Sequence, residues 1–356
     1  MAEPRYDNPL VPSFDISVNG SPVSVDVHSH VVSLTVEDDA EWPSMFTMEL
    51  AASIDQEDPL AWVNDDTFAV GGAVEIKLGY ADSLTTLFKG EITGLEPEFA
   101  FNKMPTLVVR GYDRRHRLTR GRKTRSFVQQ KDSDIASRIA SEAGLSADAT
   151  DSEVTHDYVL QASQSDMDFL RERARRIHYE VAIDDKTLQF RPVPFDQGEV
   201  LTLSFEEGGL LEFYPRLTSA FPITEVKVRG WSPKDKKEVV GQAKKGDEPS
   251  TMGGDQSGAA IVESAFGAAA GLITDHPVMS QAEADQVAKA RYNSAGLALF
   301  EGGGVCYGRA ELRAGKVIKI DGVGARFSGN YLVTAARHTY TPRGYYTHFD
   351  VRRNAS

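Results

Sequence analysis

The residues able to do chemistry in this chain are carboxylates, histidines, one thiol and a dense run of arginines. Asp166 and Asp168, and Asp38 and Asp39, are the carboxylate pairs that could divide acid and base work. Asp166 and Asp168 stand two apart on a predicted helix, where side chains at that spacing do not face each other, and no cleft is implied between them. His28 and His30 alternate on a predicted strand and could place two metal ligands on one face. No third ligand is near in sequence, so two ordinary surface histidines are the favoured reading. His338 and His348 fall in closing strands, where packing or a cross-strand hydrogen bond is expected, and Asp275-His276 reads as a loop feature. The single cysteine, Cys306, lies in the strand-like run Val305-Cys306-Tyr307 and reads as a small buried apolar residue. The chain has no HExxH, Walker A, GxSxG or CxxC pattern, and Gly322, Gly324 and Gly329 lack the spacing of a dinucleotide loop. No catalytic residue, metal or cofactor is assigned, and the chain is not read as an enzyme.

Charge is the stronger signal. Residues 1 to 109 hold 19 Asp or Glu against 4 Lys or Arg, a net of −15. Then Arg110, Arg114, Arg115, Arg117, Arg120, Arg122, Lys123 and Arg125 follow within sixteen residues. Like charges this close repel, and carboxylates supplied by a partner would turn that cost into attraction. Arg114, Arg115, Arg117, Arg120, Arg122 and Arg125 are therefore candidate interface residues, facing acid from the first region in a neighbour, with a solvated surface run as the rival. Arg171 and Arg175, on a second basic helix face, join them; that face could be solubilising, or could salt-link the acidic first region or a neighbour. Nucleic acid is the runner-up partner, opposed by the overall charge of −13 and by the lack of aromatic interleaving.

The elements that must position these groups follow from pattern. The 356 residues suffice for about two to four domains. Strand alternation is clear at Phe14 to Val18, Val31 to Val36 (with Val32, Leu34 and Val36 on one face), Phe46 to Leu50, Val74 to Tyr80, Leu87 to Leu95 and Thr106 to Tyr112. Asn19-Gly20 marks a tight turn, Pro59 to Trp62 a short helical turn or loop with a buried anchor, and Phe99 to Phe101 a projection into a partner or a bridge to the next strand. Antiparallel strands without βαβ spacing imply a barrel or sandwich. In the middle, a helix capped by Asp132 or Ser133 carries Ile135, Ala136, Ile139 and Ala140 and stops at Gly144. A second helix begins at Ser165 with Asp168 three residues on, and the strands Tyr179 to Asp184 and Leu188 to Phe190 complete an α+β insert. Strand signal returns at Val200. Residues 241 to 260 are Gly, Ser and Lys rich and read as a mobile loop, and Ile261 to Leu272 as a strand leading into a flexible connection. A helix runs from Ser280 to about Leu299, and strands Val305 to Leu312, Gly315 to Ile320, Tyr331 to Tyr340 and Tyr345 to Arg352 close the chain. The units are thus 1–119, 120–198 and 199–356. No apolar segment reaches a membrane span, the first residues do not form a signal peptide, and one cysteine fits a reducing compartment.

Three stretches together resemble the late control D family, the hub proteins of contractile phage tails and related injection systems: Thr155 to Arg176, Val226 to Pro233, and Phe327 to Tyr340 followed by Gly344 to Phe349. The resemblance runs from about 14 to 353. It implies a mostly β chain in which two barrel-like β domains of tail-hub type flank a small LysM-like α+β module. It further implies a homotrimer whose six β domains form a pseudo-sixfold ring between the inner tail tube and the threefold spike. The partners it implies are other copies of the chain, the inner tube protein, other baseplate components and a spike with an OB-fold and needle. That spike is expected on a separate polypeptide, since this chain ends after its second β domain. The place implied is the bacterial cytoplasm during assembly, then the baseplate of the particle. The alternatives are a protein that grips peptidoglycan through its central module and a cell-wall hydrolase on the tail tip.

Overall fold

The computed structural model describes residues 11–51, 66–81, 83–206, 209–218, 224–275 and 277–356; Pro59 to Trp62 and His276 lie outside them. The first part runs β1 Pro12–Val18, β2 Ser21–Pro22, α1 Val25–Ser29, β3 Val31–Asp39, β4 Met45–Ala51, β5 Ala73–Tyr80, β6 Ser83–Glu98 and β7 Thr106–Tyr112. Period-two alternation buries Phe14, Ile16, Phe46, Met48, Leu50, Val74, Ile76 and Leu78 in one core. Asn19 and Gly20 both take positive φ, 53° and 82°, as the tight turn between Val18 and Ser21 requires. Two details depart from the alternation. A bulge between Val31 and Ser33 shifts the β3–β4 register, so Val31 is buried beside Leu34 and Val36 while Val32 is exposed. His28 and His30 are not on a strand: Ser24 caps the short helix α1 by accepting from the Val27 N–H. His28 stacks on Phe14 and its Nε2 lies 3.1 Å from the Phe14 carbonyl, while His30 Nδ1 lies 2.7 Å from the Asp26 carbonyl.

The central part comprises β8 Lys123–Lys131, α2 Asp132–Glu142, β9 Ser146–Ala149, β10 Thr155–Gln164, α3 Asp166–Arg176, β11 Tyr179–Asp184 and β12 Thr187–Pro192. Its own core gathers Phe127, Ile135, Ile139, Val159, Phe169, Leu170 and Phe190. Ser165 caps α3, accepting from the Asp168 N–H at 3.1 Å, and Gly144 follows α2 with φ 70°. The cap of α2 is Lys131; Asp132 and Ser133, expected there, are buried in side-chain contacts instead. An antiparallel ribbon, β8 with β10, has no counterpart in the alternation of the sequence.

The last part runs β13 Thr202–Ser204, β14 Leu210–Leu217, β15 Glu225–Ser232, β16 Lys237–Lys244, α4 Gly258–Phe266, β17 Ala270–Ile273, α5 Gln281–Leu297, β18 Phe300–Tyr307, β19 Val317–Asp321, β20 Gly329–Thr341 and β21 Gly344–Arg353. Both ends of the segment 241–260, expected to be a mobile loop, lie in regular elements, the first in β16 and the last in α4. Lys237 to Lys244 pairs with β15 at eight positions, and small inward residues let β16 lie against α5, with a Cβ on Gly241 falling 2.0 Å from the Ala284 carbonyl oxygen. Asp255 and Gln256 donate to the Ser356 carbonyl at 2.9 and 3.0 Å. Ile261 to Leu272, read as a strand, is half helix: Ile261 to Phe266 belong to α4, capped by Ser257, and β17 begins at Ala270.

The main sheet has thirteen strands, in the order β14-β18-β21-β20-β3-β4-β7-β6-β5-β1-β2 with β19 and β13 branching from β20. β20 is the joint. Gly329 to Leu332 pairs with β19, and Ala335 to Tyr340 pairs with Leu34 to Asp39 of β3. The two β-rich parts are therefore one continuous sheet, and among the described residues no ladder closes either end into a barrel. The fold is mostly β with a small α+β insert.

Candidate functional site: arginine and carboxylate seams

The arginine run folds inward. Directly after β7, Asp113 caps the 3-10 turn Arg114–Thr119, its Oδ1 accepting from the Arg115 N–H at 2.8 Å. Asp113 Oδ2 accepts from Arg115 Nη2 at 2.8 Å and from the Ser44 N–H at 2.7 Å. Arg115 also donates to the Val181 and Asp39 carbonyls, each at 3.2 Å, and to Ser44 Oγ at 3.0 Å. Ser44 Oγ donates to Asp38 Oδ1 at 2.7 Å, and Asp38 Oδ2 accepts from Arg313 Nε at 2.6 Å. One string of contacts thus links the β3–β4 loop, the end of β7, β11 and the β18–β19 connection. Burial alone would raise the Asp38 carboxyl; the Arg313 guanidinium, with its hydrogen bond and that of Ser44, more than offsets this and holds it below the ordinary range.

Glu91 is a second node. Its carboxylate meets Arg114 Nε at 3.3 Å, His116 Nε2 at 2.8 Å and Arg117 Nε at 3.1 Å. Burial opposes its charge, but hydrogen bonds and charge from Arg117 and His116 bring it down to about 2. Arg114 also pairs with Asp185 at the β11–β12 turn. Arg125 donates to Gln161 Oε1 at 2.8 Å and Asp166 Oδ1 at 2.7 Å and pairs with Glu142. Arg171 lies over the Trp42 ring at 3.7 Å to the centroid, and both Arg171 and Arg175 reach Glu41 in the β3–β4 loop.

Most of the arginines expected at an interface have carboxylates of their own chain as partners. Arg114 and Arg115 are 5% and 3% exposed in the single chain, so neither can face a neighbour, because each is spent on carboxylates of its own chain. Arg117 and Arg125 are also committed internally, and Arg171 and Arg175 bind the acidic first part, one of the two readings the sequence left open. Arg120 and Arg122 remain exposed, Arg122 donating to the Ser163 carbonyl at 2.7 Å.

A third seam, which sequence reasoning missed, joins the central part to α5. Asp132 accepts from Arg173 Nε at 2.6 Å and lies 3.3 Å from His156 Nε2. Arg176 donates to Glu283 Oε1 and to the Pro277 carbonyl, each at 2.9 Å. The available signal was the charge of the helix face at Arg173 and Arg176; their acids come from distant sequence.

The other reactive groups are quiet. Cys306 is buried, and burial pushes its thiol up to about 12. His338 is fully buried and held to about 3 by burial and by the Arg313 charge. Its Nε2 donates to the Leu312 carbonyl at 3.0 Å, leaving Nδ1 to accept near Tyr345 OH at 2.9 Å and Thr347 Oγ1 at 3.1 Å; Thr347 is its cross-strand partner, the contact expected of it. His348 is exposed. Asp166 and Asp168 are engaged with Arg125 and Ser165. Among the described residues no group of three metal-ligating side chains occurs, and no helix is long and apolar enough to cross a membrane. What this arrangement does is fix three parts of one chain against each other.

The fold has counterparts among solved structures. The 43 kDa tail protein of prophage MuSo2 from Shewanella oneidensis aligns with a TM-score of 0.70 at 10% identity, covering 96% of this chain and 98% of that one. A tail protein from Neisseria meningitidis MC58 aligns with a TM-score of 0.68 at 11% identity over 96% and 97%. An E. coli component of the type VI secretion system, itself similar to phage T4 tail proteins, aligns with a TM-score of 0.62 at 13% identity over 96% and 77%. The tail-hub type of fold implied by the sequence resemblance is therefore the fold observed. No curated protein matches the chain. Residues 8–342 match the family described as the Alg8 N-terminal domain, and the chain belongs to that family.

Proposed function

We propose that this protein is a structural hub component of a contractile tail or related injection particle. Three copies form a ring of six β-rich units that adapts a sixfold inner tube to a threefold spike, and other baseplate components dock around it. The chain assembles in the bacterial cytoplasm and ends in the baseplate. The observation that carries this reading is the β20–β3 ladder, Ala335 to Tyr340 against Leu34 to Asp39. It sets two β-rich units side by side in one polypeptide, so that threefold symmetry yields six. The match in fold to phage tail proteins over nearly their whole length supports it. So does the commitment of the charged groups to intrachain seams, which suits a rigid structural part rather than catalysis. Electron microscopy of the purified chain tests it: class averages with threefold symmetry around an open channel are expected, and compact particles without symmetry or channel would contradict it.

One observation favours a second reading. Tyr158 is 55% exposed on the open face of the β8–β10 ribbon, beside the Gln129–Asp157 hydrogen bond, a ring and polar edge on which a sugar could stack. Retention of the chain on purified cell walls, abolished by Tyr158→Ala, would support glycan binding by the central part; no retention would remove it.

A further inference from the structure

The outer face of the joined sheet carries a groove of about 730 Å3. Its floor is nearly bare of side chains where Gly303 and Ala335 stand on either side of Asp350 in cross-strand register. Aromatic rings wall it: Tyr214 is 65% and Trp42 55% exposed. Its lining holds five carboxylates, Glu37, Asp38, Asp39, Glu212 and Asp350, against one arginine, Arg337. Asp38 is spent on Arg313, and Glu37 pairs with Arg337 at 2.9 Å. Asp39 caps the turn behind it, accepting from the Glu41 and Trp42 N–H groups. Glu212 accepts from the Tyr214 hydroxyl. Among the described residues, neither Glu212 nor Asp350 forms an ion pair. The face therefore combines bare backbone, aromatic walls and uncompensated negative charge, which suits a cationic protein segment.

The same chain presents such a segment. Four arginines of the basic run are consumed inside the fold and Lys123 pairs with Asp166 at 2.6 Å, but the turn Arg120-Gly121-Arg122 is exposed throughout. Gly121 has φ 69° with open space where a Cβ would sit, so the turn projects its cations on a tight bend. Arg120 forms no ion pair among the described residues, and Arg122 donates only to a carbonyl, that of Ser163. The turn and the groove make no ion pair with each other within the chain.

We propose that the Arg120–Arg122 turn of one copy docks in the Glu212–Asp350 groove of the next. Guanidinium groups match carboxylates in a fork and stack on aromatic rings, so both kinds of wall in the groove are used. Because the two patches differ, the contact is heterologous and repeats head to tail, the class of contact that closes rings. The inference rests on the ring reading above and names the surfaces that would make it.

Charge reversal in the full chain tests it, read as self-association by sedimentation at low ionic strength, where such contacts are least screened. Arg120→Glu with Arg122→Glu, and separately Glu212→Lys with Asp350→Lys, should each weaken association roughly tenfold or more. The four changes combined should restore it. If the combined variant folds poorly by circular dichroism, mixing the two double variants should restore pairing between unlike chains. Folded double variants that assemble like the unaltered chain, or a failure of both combination and mixing to restore pairing, would overturn the contact. An unaltered chain that never assembles, alone or with its spike component, would instead contradict the ring reading itself.

Discussion

Glu91 shows what single residues do in this molecule: one buried carboxylate meets Arg114, His116 and Arg117 at once. Glu91→Gln should cost about 2–3 kcal/mol in denaturant unfolding, since bonds to charged groups are lost and the Arg114 and Arg117 guanidinium groups remain. Its carboxyl falls from 4.5 to about 2 on folding. The stability it contributes is complete above the unfolded value and is lost as pH drops from there toward 2, so the variant's acid unfolding should be shallower in that window. His338 adds a separate dependence. Its ring goes from 6.5 to about 3 on folding, so between those values the unfolded chain binds the extra proton and stability falls as pH falls. In His338→Gln that slope should decrease by about 1.4 kcal/mol per pH unit near pH 5, one proton's worth, even though the variant is less stable overall. An unchanged slope would show that His338 is not held neutral.

At the scale of elements, the test lies in β16. Gly241→Ala places a Cβ 2.0 Å from the Ala284 carbonyl oxygen and 2.1 Å from its carbon, both backbone atoms that cannot swing away. The change should cost about 1–3 kcal/mol or more in thermal or denaturant unfolding; in a free loop it would cost almost nothing. The same glycine explains why this stretch was illegible. A glycine packed under a helix and one in a loop have the same composition, and β16 exposes its other face as Glu238, Val240, Gln242 and Lys244. Helices α2, α3 and α5 were legible because apolar stripes lay near capping residues, and β4, β5 and β7 because alternation was strict. Strand β8 was hidden because along it only Phe127 turns fully inward, which leaves no period to detect. Helix α4 is short and without a charged first turn, so its apolar residues passed for a strand. The arginine run was found, but its partners were not: Glu91, Asp185, Glu41 and Asp166 come from other elements, and one-dimensional charge does not say which carboxylate the fold brings near. A coupling of about 1 kcal/mol between Trp42→Ala and Arg171→Ala in a double-mutant cycle is expected from their stacking, and would measure how firmly the β3–β4 loop is seated on α3.

For the whole molecule, the consequence of the β20–β3 ladder is a chain that carries two β-rich units in one fixed relation. The Asp38–Arg313 pair ties the two β-rich units to each other, and the Arg114–Asp185 and Arg176–Glu283 pairs hold the central part against them. Such a body suits an assembly that must pass symmetry from one ring to another without bending. The outer strands of the sheet are not built for open-ended pairing, as Pro215 interrupts β14 and the Phe14 and Ile16 carbonyls of β1 are met by His28 and Val23. The central claim is the threefold ring, and its most direct measurement is the mass of the purified chain in solution by light scattering, with the spike component present. Three copies of the 39.0 kDa chain, about 117 kDa before the partner's mass is added, are the predicted result; a stable 39.0 kDa monomer at high concentration beside that partner would contradict it.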